Sequence, residues 1–244
     1  MAVSPGDAAG GAVVPGGEHY YTEQPAAAHR PGRVHVLLPG LHLDLETDAG
    51  VFSAGRLDPG TRLLLDTAPA PPPSGDFLDL GCGYGPLALT LAARSPGARV
   101  WAVDVNQRAL DLCARNASRA GLGNVRCVAA GNSAADNRAA DNRAADNRGS
   151  LPATVDLIWS NPPLRTGKQA LHTLLTGWLG RLAPGGTAWL VVQRHLGADS
   201  LHRWLEGEGW PVTRAAARTG YRVLQVGPAP GPGSSPAGQA PVAQ

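Results

Sequence analysis

The stretch Phe77-Leu78-Asp79-Leu80-Gly81-Cys82-Gly83-Tyr84-Gly85-Pro86 constrains this chain more than any other. An apolar run with one Asp leads into three alternating glycines, and a proline follows. Glycine permits positive φ and a close backbone approach that a side chain would block. Proline in the first turn of a helix loses no hydrogen bond, because that N–H has no intrahelical partner. The stretch therefore reads as a buried strand, a tight loop and a helix start. N–H groups and a positive dipole end point at whatever the loop holds.

The pattern continues downstream. Strands at 100–103, 125–128, 155–159 and 187–192 alternate with helices at 86–94, 107–120, 169–182 and 200–208. Asn106 caps the second helix and Gly121 follows it, while Pro184-Gly185-Gly186 stops the third. Segments 212–216 and 221–226 read as a closing hairpin around Thr219-Gly220. Strands alternating with helices imply an α/β fold with a parallel sheet covered on both faces, and the hairpin adds one antiparallel strand. Upstream, 33–38 and 41–46 read as two strands about Pro39-Gly40, 50–61 as a loop, 62–67 as a helix and 68–75 as a Pro-rich linker.

Composition matters chiefly at the ends. Residues 1–17 and 227–244 are Gly, Pro, Ala and Ser with few large apolar side chains, so they are expected to be disordered tails. That leaves one folded domain at 18–226, with an N-terminal extension at 18–75. Ala-Ala-Asp-Asn-Arg occurs three times in succession from Ala134, a period matching neither helix nor strand, and marks 131–150 as an inserted, solvated loop. A net charge of +2 leans only weakly toward polyanions. Cys82, Cys113 and Cys127 lack metal-site or redox-motif spacing and read as buried fillers in a reducing compartment, so no metal is expected. With no signal peptide pattern and no apolar run near the roughly 18 residues of a membrane span, a soluble cytoplasmic protein is expected.

Three positions carry chemistry. Asp79 before the loop would repel pyrophosphate and suits a cation, such as the amino group of a methionine moiety. Asp104 follows the next strand about twenty residues past the loop, where a carboxylate reaches ribose hydroxyls. Asn161-Pro162-Pro163 ends the fourth strand of the series with a stiff, carbonyl-rich tip. The Asn161 amide oxygen and the Pro162 carbonyl can both accept from one planar NH₂. Holding both hydrogens favours pyramidal nitrogen and aims its lone pair at an electrophile.

These motifs resemble the class I S-adenosylmethionine-dependent methyltransferases. More narrowly, with Tyr20-Tyr21, the segment from Gly50 to Thr61, Val103-Asp104-Val105-Asn106 and the segment from Ser160 to Lys168, the chain resembles the methyltransferase small domain family, which includes ribosomal RNA guanine-N2 methyltransferases. The resemblance implies a Rossmann-like, seven-stranded sheet with one antiparallel strand and S-adenosylmethionine as cofactor. It places Asp79, Gly81 and Gly83 about the methionine part, Asp104 at the ribose and Asn161 at the acceptor amine. Phe52, Arg56 and Asp58 lie in the family's N-terminal motif, near cofactor or substrate.

Three departures stand out. Leu164 replaces the aromatic that many exocyclic-amine methyltransferases place after the prolines. The chain has room for one domain where the large guanine-N2 enzymes carry two. Where the family has an adenine-reading acid after the third strand, this chain has Ala129-Ala130-Gly131-Asn132 and the repeat, with Asn132 and Asp136 as the candidate substitutes. Pro163 and Leu164 are expected at the acceptor base, and Arg165 and Lys168 at substrate phosphate. The expected function is methylation of guanine N2 in 16S ribosomal RNA, free or in the assembling small subunit, without metal or membrane. The rivals are another planar NH₂, adenine N6 or a protein glutamine amide, and a non-catalytic RNA assembly factor.

Overall fold

A parallel strand covered on both faces needs apolar residues at successive positions, not alternate ones. Phe77-Leu78-Asp79-Leu80 and Val155-Asp156-Leu157-Ile158-Trp159 supply them, and they lie side by side at the sheet centre. The computed structural model describes residues 25, 27–130, 151–163 and 167–228. In chain order its elements are β1 (Gly32–Leu38), β2 (Leu41–Thr47), α1 (Pro59–Thr67), β3 (Ser74–Leu80), α2 (Pro86–Arg94), β4 (Gly97–Asp104), α3 (Gln107–Arg119) and β5 (Val125–Ala129). There follow β6 (Val155–Ser160), α4 (Lys168–Leu179), β7 (Leu182–Gln193), a 3₁₀ turn (Arg194–Leu196), α5 (Ala198–Gly207), β8 (Val212–Arg218) and β9 (Tyr221–Val226). The two tails, the repeat loop, Tyr20-Tyr21, Asn132, Asp136, Leu164 and Arg165 fall almost wholly or entirely outside the described residues.

Strands β1 and β2 form a separate antiparallel hairpin. The others make one sheet in the order β5-β4-β3-β6-β7-β9-β8. Only β9 runs against its neighbours, pairing antiparallel with both β7 and β8, so the architecture matches the seven-stranded, mostly parallel sheet that the sequence implies. Side chains alternate between two apolar layers. Phe77, Val100, Leu157 and Trp159 join Leu45, Leu64, Leu89 and Leu91 from the hairpin, α1 and α2. Leu78, Trp101, Val103 and Ile158 join Leu175, Trp178 and Leu205 from α4 and α5. At β3 the connection reverses: the chain leaves toward β4 and β5, then returns to β6 on the other side. Such a switch point opens a crevice at the carboxyl ends of the strands.

Several boundaries differ from the sequence reading. Helix α1 starts at Pro59, with the Asp58 carboxylate accepting from the Thr61 N–H at its N-cap. The glycine at 60 hid that signal, because Asp-Pro-Gly-Thr also reads as a turn. Strand β3 begins at Ser74, inside the segment read as linker, and runs alongside β4 from Gly97. Helix α4 ends at Leu179 and β7 begins at Leu182, so Pro184-Gly185-Gly186 sits in a register irregularity of β7 beside Val155 and Leu157. A Cβ at Gly186 would lie 3.0–3.2 Å from the carbonyl oxygens of Ala183, Asp156 and Val155, so the glycine serves close strand approach.

Candidate active site

Each glycine of the loop has its own task. Gly81, Gly83 and Gly85 all have positive φ, of 77°, 54° and 102°. A Cβ at Gly85 would lie 2.5 Å from Leu89 and 2.9 Å from the Cys113 sulfur, so this glycine seats the loop on α2 and α3. A Cβ at Gly83 would meet nothing within 4 Å, and one at Gly81 only the Asn161 carbonyl oxygen at 3.7 Å. These two leave space at the cleft. The Gly81 and Cys82 N–H groups donate to the Val103 carbonyl at 2.8 and 3.0 Å, tying the loop to the end of β4.

Beneath the loop, Asp79 is fully buried. Its Oδ2 accepts from the Ala88 N–H in the first turn of α2 at 2.8 Å, and its Oδ1 has no partner. Burial pushes its carboxyl up to about 8, and the Asp104 charge adds to this against the Ala88 bond. Asp104 is half-buried at the end of β4. It accepts from the Gly83 and Asn106 N–H groups, each at 2.9 Å, and burial raises its carboxyl against those bonds.

A cleft opens over the glycine loop, between the ends of β3, β4 and β6. It is lined by Gly81, Gly83, Asp104, Val105, Asn106, Ala130, Asn161 and Pro163, with Val51 and Phe52 reaching in from the N-terminal extension. A second lobe adds Asp58, Thr61, Tyr84, Pro86 and Leu87 and shares Phe52, Gly81, Gly83 and Asn161 with the first. Asn161 therefore stands where the two lobes join. The extension is fastened here: the Asn106 amide donates to the Gly50 carbonyl at 2.8 Å, and Arg108 donates to the Ala27 and Ala49 carbonyls. Phe52 stays 38% exposed over the cleft.

At the tip of β6, the Ser160 hydroxyl donates to the Leu80 carbonyl at 2.7 Å, locking β6 to β3. The Asn161 Nδ2 donates to Asp58 Oδ2 at 2.9 Å and to Thr61 Oγ1 at 3.0 Å. Pro162 is buried and Pro163 half-buried, while Lys168 is exposed at the start of α4. The sequence reading named Asp79, Gly81, Gly83, Asp104, Asn161 and Pro163, and the structure gathers them at one sheet edge. It missed Thr61 and Asn106 as cleft residues. Cys82 and Cys113 are buried, as the filler reading expects, Cys127 is half-buried, and all three are free thiols.

A glycine loop after β3, an acid after β4 and an Asn-Pro-Pro tip on β6 at the switch point define a class I S-adenosylmethionine-dependent methyltransferase. The chain belongs to the methyltransferase small domain family, whose model matches residues 42–225. It is 31% identical over 208 residues to an uncharacterized Bacillus subtilis protein, YbxB, covering 85% of this chain and 97% of that one. It is 37% identical over 158 residues to ribosomal RNA small subunit methyltransferase C of Salmonella choleraesuis, covering 63% of this chain and 41% of that enzyme. The T. thermophilus 16S rRNA N2 G1207 methyltransferase, solved in complex with AdoMet and guanosine, superposes with a TM-score of 0.63 at 25% identity, over 80% of this chain and 50% of that one. The chain thus spans half or less of the length of these two named methyltransferases.

The residues fit the cofactor of this class. The space over Gly83 admits a ligand that a Cβ would obstruct, and the unpaired Asp79 oxygen lies beneath the loop where a cationic group would complement it.

Proposed function

We propose that this chain methylates the exocyclic N2 of guanine in small-subunit (16S) ribosomal RNA. One observation carries the reading: the Asn161 amide gives both hydrogens to the protein at the junction of the two lobes. Its oxygen is thereby left as the acceptor for an incoming NH₂. The names of the relatives support guanine and small-subunit RNA as the substrate.

Gly81 and Gly83 would hold the cofactor's methionine end, with Asp79 beneath the loop, and Asp104 would accept from its ribose hydroxyls. S-adenosylmethionine supplies an electrophilic methyl group on a sulfonium. Asn161 Oδ1 and the Pro162 carbonyl accept the two N2 hydrogens, which directs the nitrogen lone pair toward that methyl. Transfer of that methyl to N2 would release the cofactor as a thioether and the surplus N2 proton to water. Pro163 and Leu164 pack on the base, while Arg165 and Lys168 bind flanking phosphates. RNA bases are read in loops, or flipped from a helix, which brings the amine to the tip.

The test is nucleoside mass spectrometry of ribosomal RNA with and without the gene, joined to methyl transfer in vitro onto 16S RNA and small subunits. N2-methylguanosine that depends on the gene is expected. Asn161→Ala should lose roughly 100-fold or more in rate while keeping cofactor affinity. Gene-dependent methyladenosine or methylglutamine would move the acceptor, and full activity in Asn161→Ala would refute the mechanism.

A further inference from the structure

We infer that Asp58 and Thr61 are positioning residues that fix which way round the catalytic amide sits. The inference rests on the methyl-transfer reading but concerns a different part of the chain. An asparagine at a strand tip can turn its amide over, presenting NH₂ instead of oxygen, and NH₂ cannot accept from an amine. Here the choice is imposed chemically. A carboxylate only accepts hydrogen bonds, so the amide face against Asp58 Oδ2 has to be the nitrogen. Thr61 Oγ1 takes the other hydrogen at 3.0 Å. Turned over, the amide oxygen would face the carboxylate and that contact would be lost, while the Thr61 hydroxyl could donate instead, so Asp58 sets the orientation and Thr61 secures it.

The two partners are themselves held. Asp58 Oδ2 also accepts the Thr61 N–H at 2.8 Å, so one oxygen caps α1 and anchors Asn161. Asp58 and Thr61 are buried, at 8% and 6% exposure. The Tyr221 side chain on β9 lies against Asp58. Gly60 makes room for that tyrosine: a Cβ there would lie 2.6 Å from its ring. Asp58-Pro59-Gly60-Thr61 is therefore a device for the amide about 100 residues away, as well as a helix start.

The experiment uses the full chain with four substitutions. Thr61→Val keeps shape but removes the acceptor, and Thr61→Ser restores it. Asp58→Ser keeps a helix cap but is too short to reach Asn161. Asp58→Asn offers an oxygen that the Thr61 N–H orients to the same place. Thr61→Val and Asp58→Ser should lower kcat by about 10- to 100-fold, with S-adenosylmethionine affinity by calorimetry unchanged. Thr61→Ser and Asp58→Asn should recover most of it. Separately, the Asn161 side-chain amide protons, assigned by their loss in Asn161→Ala, should be protected from hydrogen exchange in the parent. They should lose protection in Thr61→Val and Asp58→Ser. Unprotected Asn161 protons in the parent, or unchanged kcat in both disruptive variants, would overturn the inference. The exchange measurement needs no acceptor, so it stands apart from whether the parent methylates guanine.

Discussion

Asp79 is a carboxylic acid closed off beneath the cofactor loop, with one oxygen bonded to Ala88 and the other unpaired. Its folded pKa of about 8 stands well above the value of about 3.9 for a free Asp. Between those values the unfolded chain has released the proton and the folded chain keeps it. Stability therefore falls as pH rises through this window, by about 1.4 kcal/mol per pH unit at most. Accumulated to pH 7.5, the cost approaches roughly 5 kcal/mol as an upper bound. Asp79→Asn removes the titration. Its carbonyl can still accept from Ala88, but its NH₂ takes the unpaired position at a cost of about 1–3 kcal/mol. In urea melts of the ligand-free protein, the variant should be the less stable near pH 4 and the more stable near pH 8. Its cofactor affinity should fall, because a cationic ligand draws the proton off Asp79 and pairs with the carboxylate, which Asn cannot supply. A stability difference that stays constant from pH 5 to pH 8 would refute the reasoning.

Three further outcomes are expected. Asn116 is buried and joins α3 to the Glu46 backbone N–H and carbonyl and to the Tyr84 carbonyl, so Asn116→Ala should cost on the order of 2–4 kcal/mol in denaturant melts and loosen the hairpin. Gly60→Ala should cost about 1–3 kcal/mol through its clash with Tyr221 and lower kcat more than cofactor affinity, read by melts and kinetics together. If Arg165 and Lys168 contact phosphate, replacing each with Ala should weaken RNA binding and flatten its salt dependence by roughly 0.7–0.9 in log–log slope, measured by titration at several salt concentrations.

The sheet was legible because its strands are apolar at successive positions and its helices begin and end with strong local signals. The Gly81–Gly85 loop and Asn161 were legible for the same reason: their chemistry is written in adjacent residues. What stayed hidden depends on distant pairing. Thr61 gains meaning only against Asn161, and Tyr221 only against Gly60. Asp58-Pro59-Gly60-Thr61 was read as loop because its residues suit a turn, and only the structure shows Asp58 as an N-cap. The end of α4 was misplaced because Pro184-Gly185-Gly186 looks like a helix stop, whereas it accommodates an irregularity in pairing with β6.

Strand β9 enters the sheet between β7 and β8, and its first residue closes on the cap of α1. A segment before the first strand of the main sheet and the strand that starts at Tyr221 thus meet at the support of one amide. Every cleft residue precedes residue 221, so a nascent chain carries all of them before Tyr221 is made. Only when that last strand docks does Asp58 gain its remaining partner. Cofactor binding and methyl-transfer competence should therefore arise at different lengths of nascent chain, with the catalytic amide the later of the two to be fixed.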